Sequence, residues 1–480
     1  MIELMLFRRI SRLFFALLAG FLMMAGAVTA QEATGWTASA GMMPIGEDPE
    51  RPDAEFFHVD YIMDGADRAT RPVTFLVNGG PGGASIFLHI AAIGPLTIAT
   101  AGDGSFPPVP ARLEKNPDSW IDFTDLVFID PVGTGYSRML PGPDGKPGDP
   151  KKYYAVDSDM HSIAWFIRQW LTANDRWGSP KALVGESYGG QRVAGLSRIL
   201  ALNYGINLNR AILISPALHT DIAETRYSIL GPLTIFPTQA AIAAHYGLNG
   251  LGKDTEALPE IENFALTTLV TGLTNLGRSD AATQKAFFVS VARMIGLDPE
   301  FVARERARIG DQVYAATLLQ DKGLLLDRYD GTIATDNPIP ELPGLNTYDR
   351  SLAVLTGVLL PPFMDYIRGA VGYRTDRDYI PLSMEVNTSW NRSSSTGGPD
   401  DLAIALAQNT DLKALVVHGM HDLATPYFRT RYILEQSTVT PEARRRLFFG
   451  VYPGGHMFYM QKASRAEFAT DVRKFYEGIN

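Results

Sequence analysis

The chain has 480 residues, no cysteine and a formal net charge of −9, with 46% hydrophobic and 20% charged residues. That balance is ordinary for a globular chain and excludes whole-chain disorder, collagen and coiled-coil arrays. An acidic chain lacks the basic face that a nucleic-acid partner needs. The missing cysteine excludes disulfides, thiolate metal sites, iron–sulfur clusters and a cysteine nucleophile.

At the N-terminus, Arg8, Arg9 and Arg12 precede an apolar run from Leu13 to Ala27, and Val28-Thr29-Ala30 set short side chains before Gln31. The order basic, apolar, small predicts a secretory signal over residues 1–30, cleaved after Ala30. The apolar run falls short of the roughly 20 residues of a spanning helix, which leaves an uncleaved anchor as the alternative. This reading makes the protein an exported bacterial one, periplasmic or secreted, with no stable membrane insertion after cleavage.

Five short apolar runs follow, each stopped by glycine or proline: 73–77 before Asn78-Gly79-Gly80-Pro81-Gly82-Gly83, 125–130 before Pro131, 181–184 before Gly185, 211–214 before Ser215-Pro216, and 413–417 before His418-Gly419. Such runs predict buried parallel strands, and the helical stretches Asp157–Ala173 and Gln191–Leu202 between them predict an α/β class with a mostly parallel sheet. The strand rhythm stops between residues 218 and 400, where Pro259–Thr274 and Thr283–Ile295 carry apolar positions at helical spacing. The expected organisation is therefore a core in two parts, 31–217 and 401–480, around a helical lid insertion at 218–400. Ligands of such sheets bind at the carboxyl ends of the strands.

Gly185-Glu186-Ser187-Tyr188-Gly189 fits G-x-S-x-G between an expected strand and an expected helix. A sharp turn there exposes Ser187 beside backbone N–H groups that favour a developing oxyanion. A serine nucleophile needs a base, and in this architecture the order is serine, acid, histidine. Among eight histidines, His456 lies in the glycine-bearing loop Pro453-Gly454-Gly455-His456, and Asp422 follows the last of the five runs. A carboxylate at Asp422 would hold the imidazole tautomer and stabilise its cation. His418 and His421 invite a metal pair, but nothing nearby completes a metal motif, and no cofactor is implied because the triad supplies nucleophile, base and charge stabilisation. The Asn78–Gly82 loop offers close-packed N–H groups for a second oxyanion donor; no Gly-Lys-Ser/Thr follows to make it a phosphate loop.

Together the stretches Asn78-Gly79-Gly80-Pro81-Gly82, Asn116-Pro117-Asp118-Ser119-Trp120, Asp130-Pro131-Val132-Gly133-Thr134-Gly135-Tyr136-Ser137, Gly185-Glu186-Ser187-Tyr188-Gly189, Asp422 and Gly455-His456-Met457 resemble the serine carboxypeptidases, the group of carboxypeptidase Y and cathepsin A. The resemblance implies an α/β-hydrolase fold, a helical lid and release of C-terminal residues from peptide substrates at acidic pH. It implies Ser187 as nucleophile, Asp422 as acid and His456 as base. It further implies an oxyanion hole from Gly80 and Tyr188, and a terminal-carboxylate site from Asn78, Gly79 and Glu186. A carboxyl facing a carboxylate must carry a proton to donate to it.

Four features depart from the family pattern. Ala92 stands where a second glutamate precedes Leu-Gly-Pro, Leu76 replaces a tryptophan, Asp130 replaces a glutamine, and the family disulfides are absent. Arg192, five residues after Ser187, is either a carboxylate binder or half of a structural ion pair. The competing functions are an esterase or acyltransferase with the same triad, and a non-catalytic hydrolase-like binding protein.

Overall fold

A computed structural model describes residues 28–31, 35–48, 50–142, 144–218, 227–339, 349–437 and 439–478. The expected secretory segment falls outside the described residues, apart from the backbone of 28–30. Among the described residues no helix is long and apolar enough to cross a membrane.

Among the described residues the framework is a ten-stranded sheet. Its main strands are β1 (Val28–Gln31), β2 (Trp36–Ile45), β3 (Ala54–Met63), β4 (Val73–Val77), β5 (Asp125–Asp130), β6 (Lys181–Glu186), β7 (Arg210–Ile214), β8 (Lys413–Gly419) and β9 (Leu447–Tyr452). They lie side by side in the order β1-β2-β3-β5-β4-β6-β7-β8-β9. The pairs from β5 to β9 are parallel, and β1, β2 and β3 add an antiparallel flank. The five expected runs are β4 to β8, five of the six parallel strands, so the mostly parallel α/β reading holds. The antiparallel flank was not foreseen. In β3 the pattern is masked by His58 and Asp60, whose buried side chains pair at 2.8 Å, while Trp170 Nε1 also donates to Asp60 at 3.0 Å.

Side chains alternate across the sheet, as the period of two requires. Phe75, Val127, Leu183, Leu213 and Val416 enter one core layer with helices α1 (Val156–Ala173) and α2 (Tyr188–Tyr204). Leu76, Phe128, Val184, Ile212 and Val417 enter the opposite layer.

The stretch 218–400 divides its packing. Helix α3 (Leu230–His245) and the helices between 258 and 317 form a cluster of their own, sealed against Met420, Leu423, Tyr427 and Phe428. Helix α4 (Arg350–Gly369) instead sends Leu355, Leu359, Phe363 and Ile367 into the layer beneath the sheet. Val386 and Trp390 join the α1–α2 layer. The physical reason is the apolar face of α4, which packs on the short helical segment 86–93 beneath β3 and β5.

Candidate active site

Strand order brings the chemistry together. The chain leaves β4 for β5 on one side, then crosses from β5 through α1 to β6 on the other side of β4, so the loops after β4 and β6 leave the sheet at a point where the winding reverses. Ligand crevices form at such points. The loops after β4, β6, β8 and β9 carry Asn78–Gly80, Ser187, Asp422 and His456 respectively.

Ser187 sits at the turn between β6 and α2 with φ 60° and ψ −122°. A non-glycine residue held there stores about 1–3 kcal/mol of backbone strain. Its N–H donates to Ile214 O at 2.9 Å, and its carbonyl accepts from Gly190 N–H at 2.9 Å and Ala217 N–H at 3.0 Å. These bonds to β7 and α2 fix the turn and leave the half-buried hydroxyl at the crevice. The loop after β4 lies directly against it. A Cβ on Gly79 would stand 2.6 Å from both Glu186 O and Tyr188 N and 2.8 Å from Ser187 Cβ, so only glycine permits the approach. Among the described residues no hydrogen bond engages the N–H of Gly80 or Tyr188.

Asp422 is fully buried and His456 nearly so. His456 Nδ1 donates to Asp422 Oδ2 at 2.7 Å. Asp422 Oδ1 accepts from the N–H of Ala424 and of Thr425, both at 2.9 Å, and the Thr425 hydroxyl donates to Oδ2 at 2.5 Å. Burial alone would push the Asp422 carboxyl up; the His456 charge and these donors overcome it and hold the group below its ordinary value. For His456 burial works downward, and the carboxylates of Asp422 and Glu186 reverse it, so the imidazole is raised. With Nδ1–H committed to Asp422, Nε2 keeps a lone pair for a proton. In this structure no hydrogen bond joins that imidazole to Ser187.

Glu186, one residue before the serine, is buried rather than solvent-facing. Asn78 Nδ2 donates to its Oε2, and the Tyr459 hydroxyl donates to its Oε1 at 2.6 Å. Burial pushes Glu186 up to about 7, against the pull of the His456 charge and the two donors. Arg192 is no carboxylate receptor: it forms a two-pronged pair with Asp159 at 2.7 and 2.9 Å, inside the core. Ala92 is buried, and its carbonyl accepts from Asn116 Nδ2 at 2.9 Å.

Among the described residues no group of three or more His, Asp or Glu is placed to hold a metal ion. Burial keeps the rings of His418 and His421 neutral, pushing His418 down to about 4 and His421 to about 3.

Three neighbours escaped the sequence reading. Thr425 and Tyr459 lie three residues after Asp422 and His456, so the loops that carry the acid and the histidine would have pointed to them. Tyr329 gives no such signal. It comes from the long insertion, its carbonyl accepts the His456 N–H at 2.5 Å, and its ring meets the imidazole edge-on at 5.0 Å. A Cβ on Gly455 would fall 2.1 Å from Tyr329 O, which explains the glycine there.

The serine carboxypeptidase family profile matches residues 34–228, the part of the chain that carries Asn78, Glu186 and Ser187. Over that stretch the chain matches the serine carboxypeptidases. Among curated members of the family, the pheromone-processing carboxypeptidase kex1 of Sclerotinia sclerotiorum is 31% identical over 133 residues, covering 26% of this chain and 17% of its own. A carboxypeptidase Y homolog of Arthroderma benhamiae is 32% identical over 126 residues, covering 26% and 22% respectively. The chain thus spans about a fifth of the length of the curated relatives it matches. A solved family structure, the prohormone-processing carboxypeptidase Kex1(Δ)p of Saccharomyces cerevisiae, superposes with a TM-score of 0.57 at 17% identity, covering 92% of this chain and 91% of that one. At that identity the likeness is one of fold, and the fold is that of the α/β hydrolases.

Proposed function

We propose that this chain is a serine-type carboxypeptidase that releases C-terminal residues from peptides through an acyl-enzyme, favoured at acidic pH. The observation that carries the reading is the buried His456–Asp422 pair at 2.7 Å, on the same sheet end as a serine held at positive φ, in a chain whose residues 34–228 match the serine carboxypeptidases. His456 Nε2 takes the Ser187 proton as Oγ attacks the last peptide carbonyl, and the N–H groups of Gly80 and Tyr188 receive the oxyanion. The leaving amine takes the proton from His456. Water then adds to the acyl-serine by the same route and frees the shortened peptide.

Asn78, Gly79 and a protonated Glu186 bind the substrate's terminal carboxylate. The elevation of Glu186 to about 7 supports this role, because the group keeps its proton under acidic conditions. The export of the protein and the division into core and lid belong to the same proposal.

The test is fluorophosphonate labelling with peptide turnover. Label should map to Ser187, and Ser187→Ala should lose several powers of ten in kcat while remaining folded. Label on another serine, or undiminished turnover, overturns the assignment. A second reading, an esterase or acyltransferase, draws on one observation: Glu186's hydrogen-bond partners are an amide and a phenol, with no second carboxyl to share its proton. Ester turnover without peptide turnover would select it.

A further inference from the structure

A cavity of about 590 Å³ has His421, next to Asp422, in its wall, and Ser187 is not among its lining residues. His421, His245, Lys253, Arg350, Phe106 and Gln461 are among its walls. His421 is 3% exposed. Its Nδ1 accepts the N–H of Gly454 at 3.3 Å, so in the neutral ring the hydrogen sits on Nε2. Burial, aided by the His245 charge, keeps the ring neutral. Nε2 is buried and has no partner among the described residues. A buried donor left unmade is costly, and its survival calls for an acceptor.

Two cations converge on the same space from separate segments. Among the described residues neither Lys253 nor Arg350 pairs with a carboxylate; the Arg350 guanidinium lies over the Phe106 ring at 5.8 Å. The Lys253 charge reaches His245, which it lowers together with burial. Of the two acids on the wall, Asp103 is occupied by the Ser105 N–H at 2.9 Å and hydroxyl at 2.5 Å, and Asp254 is exposed at the rim. The cavity therefore presents an unmade neutral donor and two unmatched cations on a chain that is acidic overall.

We propose that this cavity is a ligand site, separate from the Ser187 crevice, for a small molecule bearing a carboxylate, which accepts from His421 Nε2–H and is held by Lys253 and Arg350. The occupant would bear on the framework of His456, because His421 N–H donates to Gly454 O at 2.9 Å and His421 O accepts from Gly331 N–H at 3.0 Å. The carboxylate has two natural sources, a free amino acid or the C-terminus of a peptide.

The experiment is isothermal titration of the full chain with N-acetyl-leucine, N-acetyl-leucine amide and leucine, in wild type and in Lys253→Glu/Arg350→Glu. N-acetyl-leucine should bind and the amide should not. The double variant should lose one binding event or bind at least tenfold more weakly, with unchanged thermal unfolding and unchanged peptide turnover in the absence of probe. Tighter binding of leucine than of N-acetyl-leucine assigns the free amino acid; equal binding assigns the peptide terminus. If the double variant unfolds, Lys253→Ala and Arg350→Ala carry the same test singly. Identical titrations for wild type and variants, equal binding of acid and amide, or no binding at millimolar probe overturns the proposal. The readout needs no turnover, so its failure is distinct from failure of the peptidase reading.

Discussion

The phenol of Tyr459 donates to Glu186 Oε1 at 2.6 Å across 273 positions of sequence. That donor favours the charged carboxylate and restrains the rise that burial imposes on Glu186. Tyr459→Phe should therefore raise Glu186 further. In wild type, KM for peptides with a free C-terminus should climb as pH rises through about 7, where Glu186 loses its proton. In the variant the climb should move upward by about one pH unit, since a hydrogen bond to a charged group contributes roughly 1.5–3 kcal/mol. C-terminally amidated peptides should show no such climb in either protein. Coincident KM–pH curves for free-acid and amidated peptides would remove Glu186 from carboxylate recognition.

Thr425 positions rather than reacts. Its hydroxyl donates to the oxygen of Asp422 that also holds His456, and it lies 3.0 Å from His456 Nδ1. Thr425→Val leaves Oδ2 with one donor and loosens the imidazole, so kcat should fall about tenfold with KM nearly unchanged. Thr425→Ser keeps the hydroxyl and should recover most of the rate. A valine variant with wild-type kcat would show that the backbone donors to Oδ1 suffice.

A Cβ added at Gly79 would meet backbone on two sides, at 2.6 Å from the Glu186 carbonyl oxygen and from Tyr188 N. Backbone cannot rotate away as a side-chain tip can. Gly79→Ala should cost about 1–3 kcal/mol of stability by overpacking. It should also lower kcat/KM by more than its stability loss explains, because the displaced atoms carry Ser187 and the proposed oxyanion donors. Denaturant midpoints and turnover on the same preparation measure both.

Asp130 offers a pH test independent of catalysis. It is fully buried, Ser85 gives Oδ1 both its N–H and its hydroxyl at 2.7 Å, and the Tyr379 hydroxyl and the Arg138 charge also favour the carboxylate. Burial pushes the carboxyl up to about 6 despite these donors. A carboxyl raised in the folded state binds its proton more tightly there than when unfolded. Stability is then highest at low pH and declines as pH rises from about 4 to about 6. Asp130→Asn keeps an acceptor for Ser85 and removes the charge, so it should stabilise by about 1–3 kcal/mol at pH 8 and give no gain at pH 4. Denaturant titrations at the two pH values decide it; equal effects at both would mean Asp130 is not the titrating group.

Local chemistry by itself determined five of the six parallel strands, the loops that end them and the order of Ser187, Asp422 and His456. These are written in contiguous residues: apolar runs closed by glycine or proline, and a turn that only small neighbours allow. The tertiary structure alone decided which strand lies beside which, and hence that Tyr459 reaches Glu186 and that Tyr329 covers His456. It also decided that Arg192 is consumed by Asp159 and that α4 packs beneath the sheet instead of joining the helices before it. Those contacts join positions tens to hundreds of residues apart. Their partners are set by sheet order and by which apolar face remains uncovered, and neither leaves a local pattern in the chain.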